Sequence, residues 1–257
     1  MPITKPYIRT SRQLADGSYA NSGNGEYIKD KRYAIDPQHF IRAYLLLQKD
    51  VMELFDYIEP SDQNLNAYSY RTHEILVRAC IEVETNCKSI MLENIFAKRP
   101  QDMTMGDYKL IEKSHRMSAY EVSLPHWKGE RGTFKPFWEW RAGGALPWYQ
   151  AYNNTKHNRS ELFHEATFEK MLGAVGGLVS LLAAQFQNKD FMSLSENLTV
   201  GNSSGLEESI GGYFQVKYPS DWPENDRYNF QWQNLRNEKE PFQKFDFNAI
   251  AATRAAA

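Results

Sequence analysis

The 257-residue chain is 42% apolar and 24% charged, an ordinary globular composition that excludes a disordered or low-complexity protein and suffices for one sizeable core or a core plus an appendage. Its net charge of −2 removes any global pull toward nucleic acid or an acidic membrane and leaves only local basic patches for that purpose. Two cysteines and a polar start, MPITKPYIRTSRQLADGSYA, lead us to expect a reducing, cytoplasmic setting and no secretory signal.

Residues 1–35 are polar, with GSYANSGNG as a turn, and read as an irregular N-terminal arm with a short strand at most. A helix opens sharply at Asp36, a good N-cap, with Pro37 in its first turn. Phe40, Tyr44, Leu47, Val51, Leu54 and Ile58 recur at helical spacing, and Glu59-Pro60 ends the run. Beyond the loop EPSDQNLN a long helix is expected from about Tyr68 to Ala97, with the stripe Leu76, Ala79, Val83, Cys87, Ile90 and Phe96; Arg78, Glu82 and Lys88 lie beside it. Cys80 and Cys87 share this helix, and a rise of about 1.5 Å per residue separates them by roughly 10 Å, too far for a disulfide. They read as small buried hydrophobes. Pro100 closes the helix, and Thr104-x-x-Asp107 resembles a capping box opening a shorter helix, DYKLIEKSHRM.

From Ser118 the character changes. AYEVSLP and FKPFWEW are short, β-branched or aromatic, and bounded by Pro and Gly, as strands or an extended excursion are. RAGGALP is a turn, helix signals return at Trp148, and Glu161 to Gln187 reads as a second long helix. Its apolar run Met171 to Phe186 contains a Gly173/Gly177 GxxxG, a pairing motif in lipid, but falls short of the roughly 20 residues needed to span a bilayer. We read it as a buried bundle helix with no membrane contact. After Lys189 the chain reads as loops or a short hairpin around GGYFQVKYPSDWP, ending in a loose AIAATRAAA tail. Four sequons, at Asn153, Asn158, Asn197 and Asn202, carry no meaning without a signal peptide. The expected fold is mainly α: a helical bundle with a small extended or β insertion at about 118–147 and an irregular C-terminal region. The divisions are an arm, 1–35; the bundle with its insertion, 36–190; and an extension packed on it, 191–257.

The stretch WYQAYNNTKHNR, Trp148 to Arg159, holds the chemistry. On a helix Asn153 and His157 are four apart and share a face. Tyr149 extends that face, Lys156 is next to it, and Arg159 lies further round. A neutral imidazole abstracts or donates a proton near physiological pH; Lys and Arg hold a phosphate or stabilise developing negative charge; an Asn fixes the imidazole tautomer or the substrate. That is a minimal set for metal-independent phosphodiester cleavage with a ribose 2′-hydroxyl as nucleophile. Trp148, Tyr149 and Tyr152 read as anchors for the helix start. The plain alternative is a polar, solvated helix start.

YNNTKH resembles the motif of the HEPN superfamily, small helical bundles named for nucleotide binding in higher eukaryotes and prokaryotes. The usual pattern is an Arg, often followed by a polar residue such as Asn, with a His several residues on. Asn153 and His157 match the Asn and His; Tyr152 stands where the phosphate-binding Arg is usual. The resemblance covers 36–187 in architecture, with the motif near the start of a later helix, but its motif is only YNNTKH. It implies a bacterial, cytoplasmic homodimer whose motifs face a shared cleft. The implied role is RNA-associated, toxin-like or antiviral, as an endoribonuclease without metal or other cofactor, with an antitoxin or other protein as a partner. The alternative is a relative that has lost activity and binds nucleotides or proteins. His157 would be the general base or acid and Asn153 its orienter or a substrate contact. With Tyr152 in place of Arg, Lys156 or Arg159 must supply the phosphate contact. Arg141 is expected to reach this face from a neighbouring loop, and Arg78 and Glu82 are further candidates from the upstream helix.

Two other classes compete. Glu112/His115 and Glu161/His164 are Glu-x-x-His pairs, which di-iron carboxylate bundles use twice with a Glu from each of two other helices; Glu53, Glu82 and Glu84 are available. The segment HWKGERGTFKPFWEWRAGGALPWY interleaves aromatics with Lys and Arg, as single-strand binders do; its plainer role is a satellite core of Trp138, Trp140 and Trp148. No P-loop, dinucleotide fingerprint, nucleophile elbow or HExxH is present.

Overall fold

A computed structural model of the protein describes residues 3–124, 126–189, 191 and 205–255. The helices are α1 (Pro37–Phe55), α2 (Tyr70–Glu93), α3 (Met105–Tyr108), α4 (Ile111–His115), α5 (Pro147–His157), α6 (Arg159–Leu162), α7 (Phe168–Phe186), α8 (Trp232–Leu235) and α9 (Phe247–Ala255). Four short strands, β1 (Glu121–Ser123), β2 (Thr133–Phe134), β3 (Glu207–Glu208) and β4 (Gln215–Lys217), form one antiparallel sheet in the order β2-β1-β4-β3. The fold is mainly α with a small β insertion. The sheet joins the insertion to the C-terminal region, because Val122 of β1 pairs with Phe134 on one side and Val216 on the other.

The bundle centres on α2 and α7, with α1 against α2 and α5 against α7. Every α2 residue of the expected stripe within the helix, from Leu76 to Ile90, is buried. α7 is apolar on almost every face and lies within protein rather than lipid; among the described residues no helix is long and apolar enough to cross a membrane. Its GxxxG serves packing. A Cβ on Gly173 would sit 3.0 Å from the Trp148 indole, and one on Gly177 3.1 Å from it. The two glycines therefore open a slot for a tryptophan, whose Nε1–H donates to the Pro136 carbonyl at 2.8 Å.

Several boundaries differ from expectation. Asp36 takes a left-handed φ of 44° and makes no side-chain cap bond; its carbonyl accepts from the His39 amide instead. α2 begins at a capping box, in which the Ser69 amide donates to the Thr72 hydroxyl at 2.7 Å. The Thr104 amide does donate to Asp107 at 2.7 Å, but the run after it makes two short helices, ended where Arg116 turns left-handed at φ 53°. The expected helix from Glu161 is broken. α5 stops at His157, Asn158 leaves helical geometry at φ −138°, ψ 59°, and α7 starts only at Phe168, capped by Thr167. The motif thus closes one helix rather than opening the long one. The C-terminal tail carries α9, whose Ala249 amide donates to Asp246 at 3.0 Å. Asn197 and Asn202 lie outside the described residues.

The N-terminal segment is irregular yet central. Arg9, Thr10, Ser11, Arg12 and Gln13 are all buried, so their polar groups need partners within the protein. Arg9 donates to Glu93 at 2.6 Å, to Gln185 at 2.8 Å and to the Ile35 carbonyl at 2.8 Å, and lies 4.5 Å over the Phe40 ring. Cys80 and Cys87 are free and buried.

Candidate functional site

α5 packs one stripe, Trp148, Ala151, Tyr152 and Thr155, into the bundle. This leaves Asn154, Lys156 and His157 exposed and Asn153 half-buried at its C-terminal end. The α2 flank opposite contributes His73, Val77, Ile81 and Glu84. Together with Tyr152, Thr155, Lys156, His157 and Arg159 they line a groove of about 690 Å³.

Tyr152 is 3% exposed, and burial raises its phenol pKa. Its oxygen accepts from the Lys156 ammonium at 3.3 Å, and the same ammonium lies 5.2 Å over the ring. That contact raises the Lys156 pKa, so this lysine is held charged beside the tyrosine. Tyr149 donates to Glu84 at 2.9 Å, and burial and then the carboxylate raise the phenol's pKa. Glu84 thereby ties α5 to α2. The His73 ring packs tilted against Phe163 with centroids 5.5 Å apart. Its Nε2 is buried and finds no hydrogen-bond partner among the described residues. Desolvation and then the Arg159 charge lower its pKa, which keeps the ring neutral near pH 7.

The structure therefore brings Lys156, His157, Arg159 and Tyr152 together and adds His73, which sequence reasoning missed, and Glu84, which it offered only as a metal ligand. The other candidates lie elsewhere. Asn153 shares α5 with His157 but lines an adjoining groove with Gln150, Asn154, His164 and Glu165. Arg141 does not reach this face: it sits in a 3₁₀ turn, Trp138–Ala142, with its guanidinium 5.1 Å over Trp138. Arg78 is paired with Asp50 of α1. Burial raises the pKa of Glu82, which lies near Arg78. Both sit on the α1 side of α2.

The Glu112/His115 pair is committed to the fold, whereas Glu161 and His164 are exposed. Glu112 accepts from the Ser118 amide at 2.8 Å and hydroxyl at 2.6 Å, and Glu161 accepts from Asn158 at 2.7 Å. His115 is wholly buried, its Nε2 bonded to the Arg9 carbonyl at 2.8 Å and its Nδ1 to the Ser114 hydroxyl at 2.7 Å. Among the described residues, no group of three or more His, Cys, Asp and Glu is placed to hold a metal ion.

The buried histidine has a consequence of its own. Desolvation holds its pKa down to about 3, against the ordinary 6.5 of an unfolded chain. Between these values the unfolded state takes up a proton that the folded state refuses, so stability is full above about pH 6.5 and falls on acidification. The expected slope is roughly 1 kcal/mol per pH unit between about pH 6 and 4. Urea unfolding of wild type and His115→Gln at pH 7 and 4 checks it; an equal loss in both proteins assigns the acid sensitivity to other groups.

Compared with known proteins, the chain matches no family model, no curated protein and no solved structure.

Proposed function

We propose that the α2–α5 groove holds a phosphodiester of RNA, and that the protein is a HEPN-like, RNA-associated protein with metal-independent endoribonuclease activity. The observation that carries this reading is the lining of one groove by two imidazoles, His73 and His157, and two cations, Lys156 and Arg159, with His73 Nε2 left without a partner among the described residues. Cations position a phosphate by charge-assisted hydrogen bonds, and imidazoles exchange protons with the attacking and leaving oxygens. Tyr152, where an Arg is usual, supports Lys156 in the phosphate-binding role.

A second reading, a nucleotide- or protein-binding module without catalysis, is favoured by that same tie between Lys156 and Tyr152, which occupies the ammonium. A homodimer or protein-partner surface is proposed on the exposed Tyr70 and Ile81 of α2, on the same side of the helix as the groove.

Lys156→Glu combined with Arg159→Glu is expected to weaken binding of a single-stranded oligoribonucleotide. The log–log salt slope should become shallower by about 1 for each phosphate contact removed. Fluorescence anisotropy across a salt series measures both. Unchanged affinity and slope would remove the RNA-binding reading of this groove.

A further inference from the structure

A wide groove lies away from α5, between α3–α4, the 3₁₀ turn Trp138–Ala142 and α9, with a volume of about 1060 Å³. Its aromatic floor and cationic rim are unusual for a chain of net charge −2. Trp138 is 46% exposed, a large apolar surface left open to water beside a groove. The Lys135 ammonium lies 5.2 Å and the Arg141 guanidinium 5.1 Å over its ring. Lys113 and Arg141 are exposed and have no acidic partner among the described residues, and Lys135 is only 3.9 Å from Glu121 in a loose pair. The acids on the rim are largely engaged: Glu112 by Ser118, and Asp221 by Arg116. Trp140 is 4% exposed, and its indole N–H has no acceptor among the described residues. A buried donor without a partner is costly, and this one lies directly beneath the groove lining.

These features belong to one kind of ligand. An exposed indole with cations over it offers a stacking platform for a flat ring, with positive charge where the phosphate beside that ring would lie. A base entering against Trp138 displaces one cation from the ring and leaves it next to the base's own phosphate. The groove also continues. Lys135 lines a second cleft with Pro147 and Lys170, and those two line the cleft that holds Asn153 and Asn154. A connected row of clefts fits a strand better than a mononucleotide, and open indole faces are reached by unpaired bases, not by a closed duplex.

We propose that the Trp138 groove is a docking site for single-stranded RNA, with Trp138 stacking a base and Lys113, Lys135 and Arg141 holding adjoining phosphates. The choice of RNA rests on the function proposed for the α2–α5 groove; the stacking geometry does not. The test uses the full chain and a fluorescein-labelled single-stranded 12-mer oligoribonucleotide, read by anisotropy, with the corresponding duplex and a DNA 12-mer alongside. Trp138→Ala is expected to weaken single-strand binding at least about fivefold, Trp138→Phe to retain most of it, and Arg141→Glu to weaken it while flattening the salt slope. The duplex should bind less tightly and be indifferent to Trp138→Ala. If Trp138→Ala and Arg141→Glu both bind as wild type, the groove proposal is overturned, whatever the Lys156/Arg159 variant does. If they lose binding while the Lys156/Arg159 variant keeps it, the groove proposal stands and the α5 reading fails. If the wild type binds no single strand, both fail; if it binds the DNA equally well, the groove reads unpaired strands without regard to the sugar.

Discussion

Replacing Arg9 with methionine lowers the stability of the protein by about 3–5 kcal/mol, the range expected when one partner of a buried ion pair is removed. The guanidinium is fully buried, and its Glu93 partner is only 12% exposed. Glu93 also accepts from the Ile35 amide at 2.9 Å, so its charge is fixed in place and cannot turn out to water. Loss of the guanidinium strands that carboxylate, frees the Ile35 carbonyl and unties the Oε1 of Gln185. Gln185 in turn donates to Asn86 of α2 at 3.0 Å. One side chain thus fastens the N-terminal segment to both central helices. The double variant Arg9→Met, Glu93→Met removes the stranded charge as well and should recover much of the loss, because a buried pair replaced by apolar groups of similar volume is often close to neutral. Urea midpoints of the single and double variants decide the matter. A single variant within about 1 kcal/mol of wild type would mean that water reaches the site and the charge is not stranded.

That network also marks where the sequence stops being legible. Helix periodicity found α1 and α2 because Phe40, Tyr44, Leu47, Val51 and Leu54, and then Leu76 through Ile90, are apolar and buried at regular spacing. The same logic fails for residues 9–13, which are buried through hydrogen bonds to partners distant in the chain. Arg9 reaches Glu93 and Gln185, and Arg12 donates to the Ser114 carbonyl. No local pattern announces a polar segment whose partners lie on other elements. Helix α7 is shorter than periodicity suggests for a related reason. Residues 161–167 hold helix-compatible residues, but Thr167 caps a new helix and Asn158 ends the previous one, and such local bonds compete with helix continuation.

The candidate site was half legible. Lys156, His157 and Arg159 lie close in sequence and come to one groove because α5 delivers them there. His73 lies a full domain-length of chain earlier, just inside α2. Only the packing of α2 on α5, fastened by Tyr149 and Glu84, brings it close. The one available signal was its position on the flank of the α2 stripe, in line with Val77 and Ile81. Asn153 and Arg141 show the opposite error: proximity in sequence does not place side chains in one cleft.

The second large effect concerns this pair of imidazoles. His157→Ala is expected to lower cleavage of a single-stranded oligoribonucleotide by about 10²–10⁴-fold, the usual worth of a proton-transfer catalyst, and His73→Ala by a similar factor. In the proposed reaction the His73 imidazole, held neutral, takes the proton of the 2′-hydroxyl as that oxygen attacks phosphorus. His157 delivers a proton to the departing 5′-oxygen, and Lys156 and Arg159 balance the charge of the phosphorane. Atoms balance without water or metal: the products are a 2′,3′-cyclic phosphate and a 5′-hydroxyl. Groups that act as one unit are non-additive, so the double variant should be little worse than either single one. Because desolvation lowers the His73 pKa, its base form persists on acidification, and the acid limb of the pH profile should fall below the ordinary imidazole value near 6.5. His73→Ala should remove that limb without abolishing RNA binding. A substrate with a single 2′-deoxy residue at the cleavage position should resist cutting, and EDTA should have no effect. Binding that survives in the wild type with no cleavage at any pH would assign the groove to recognition alone.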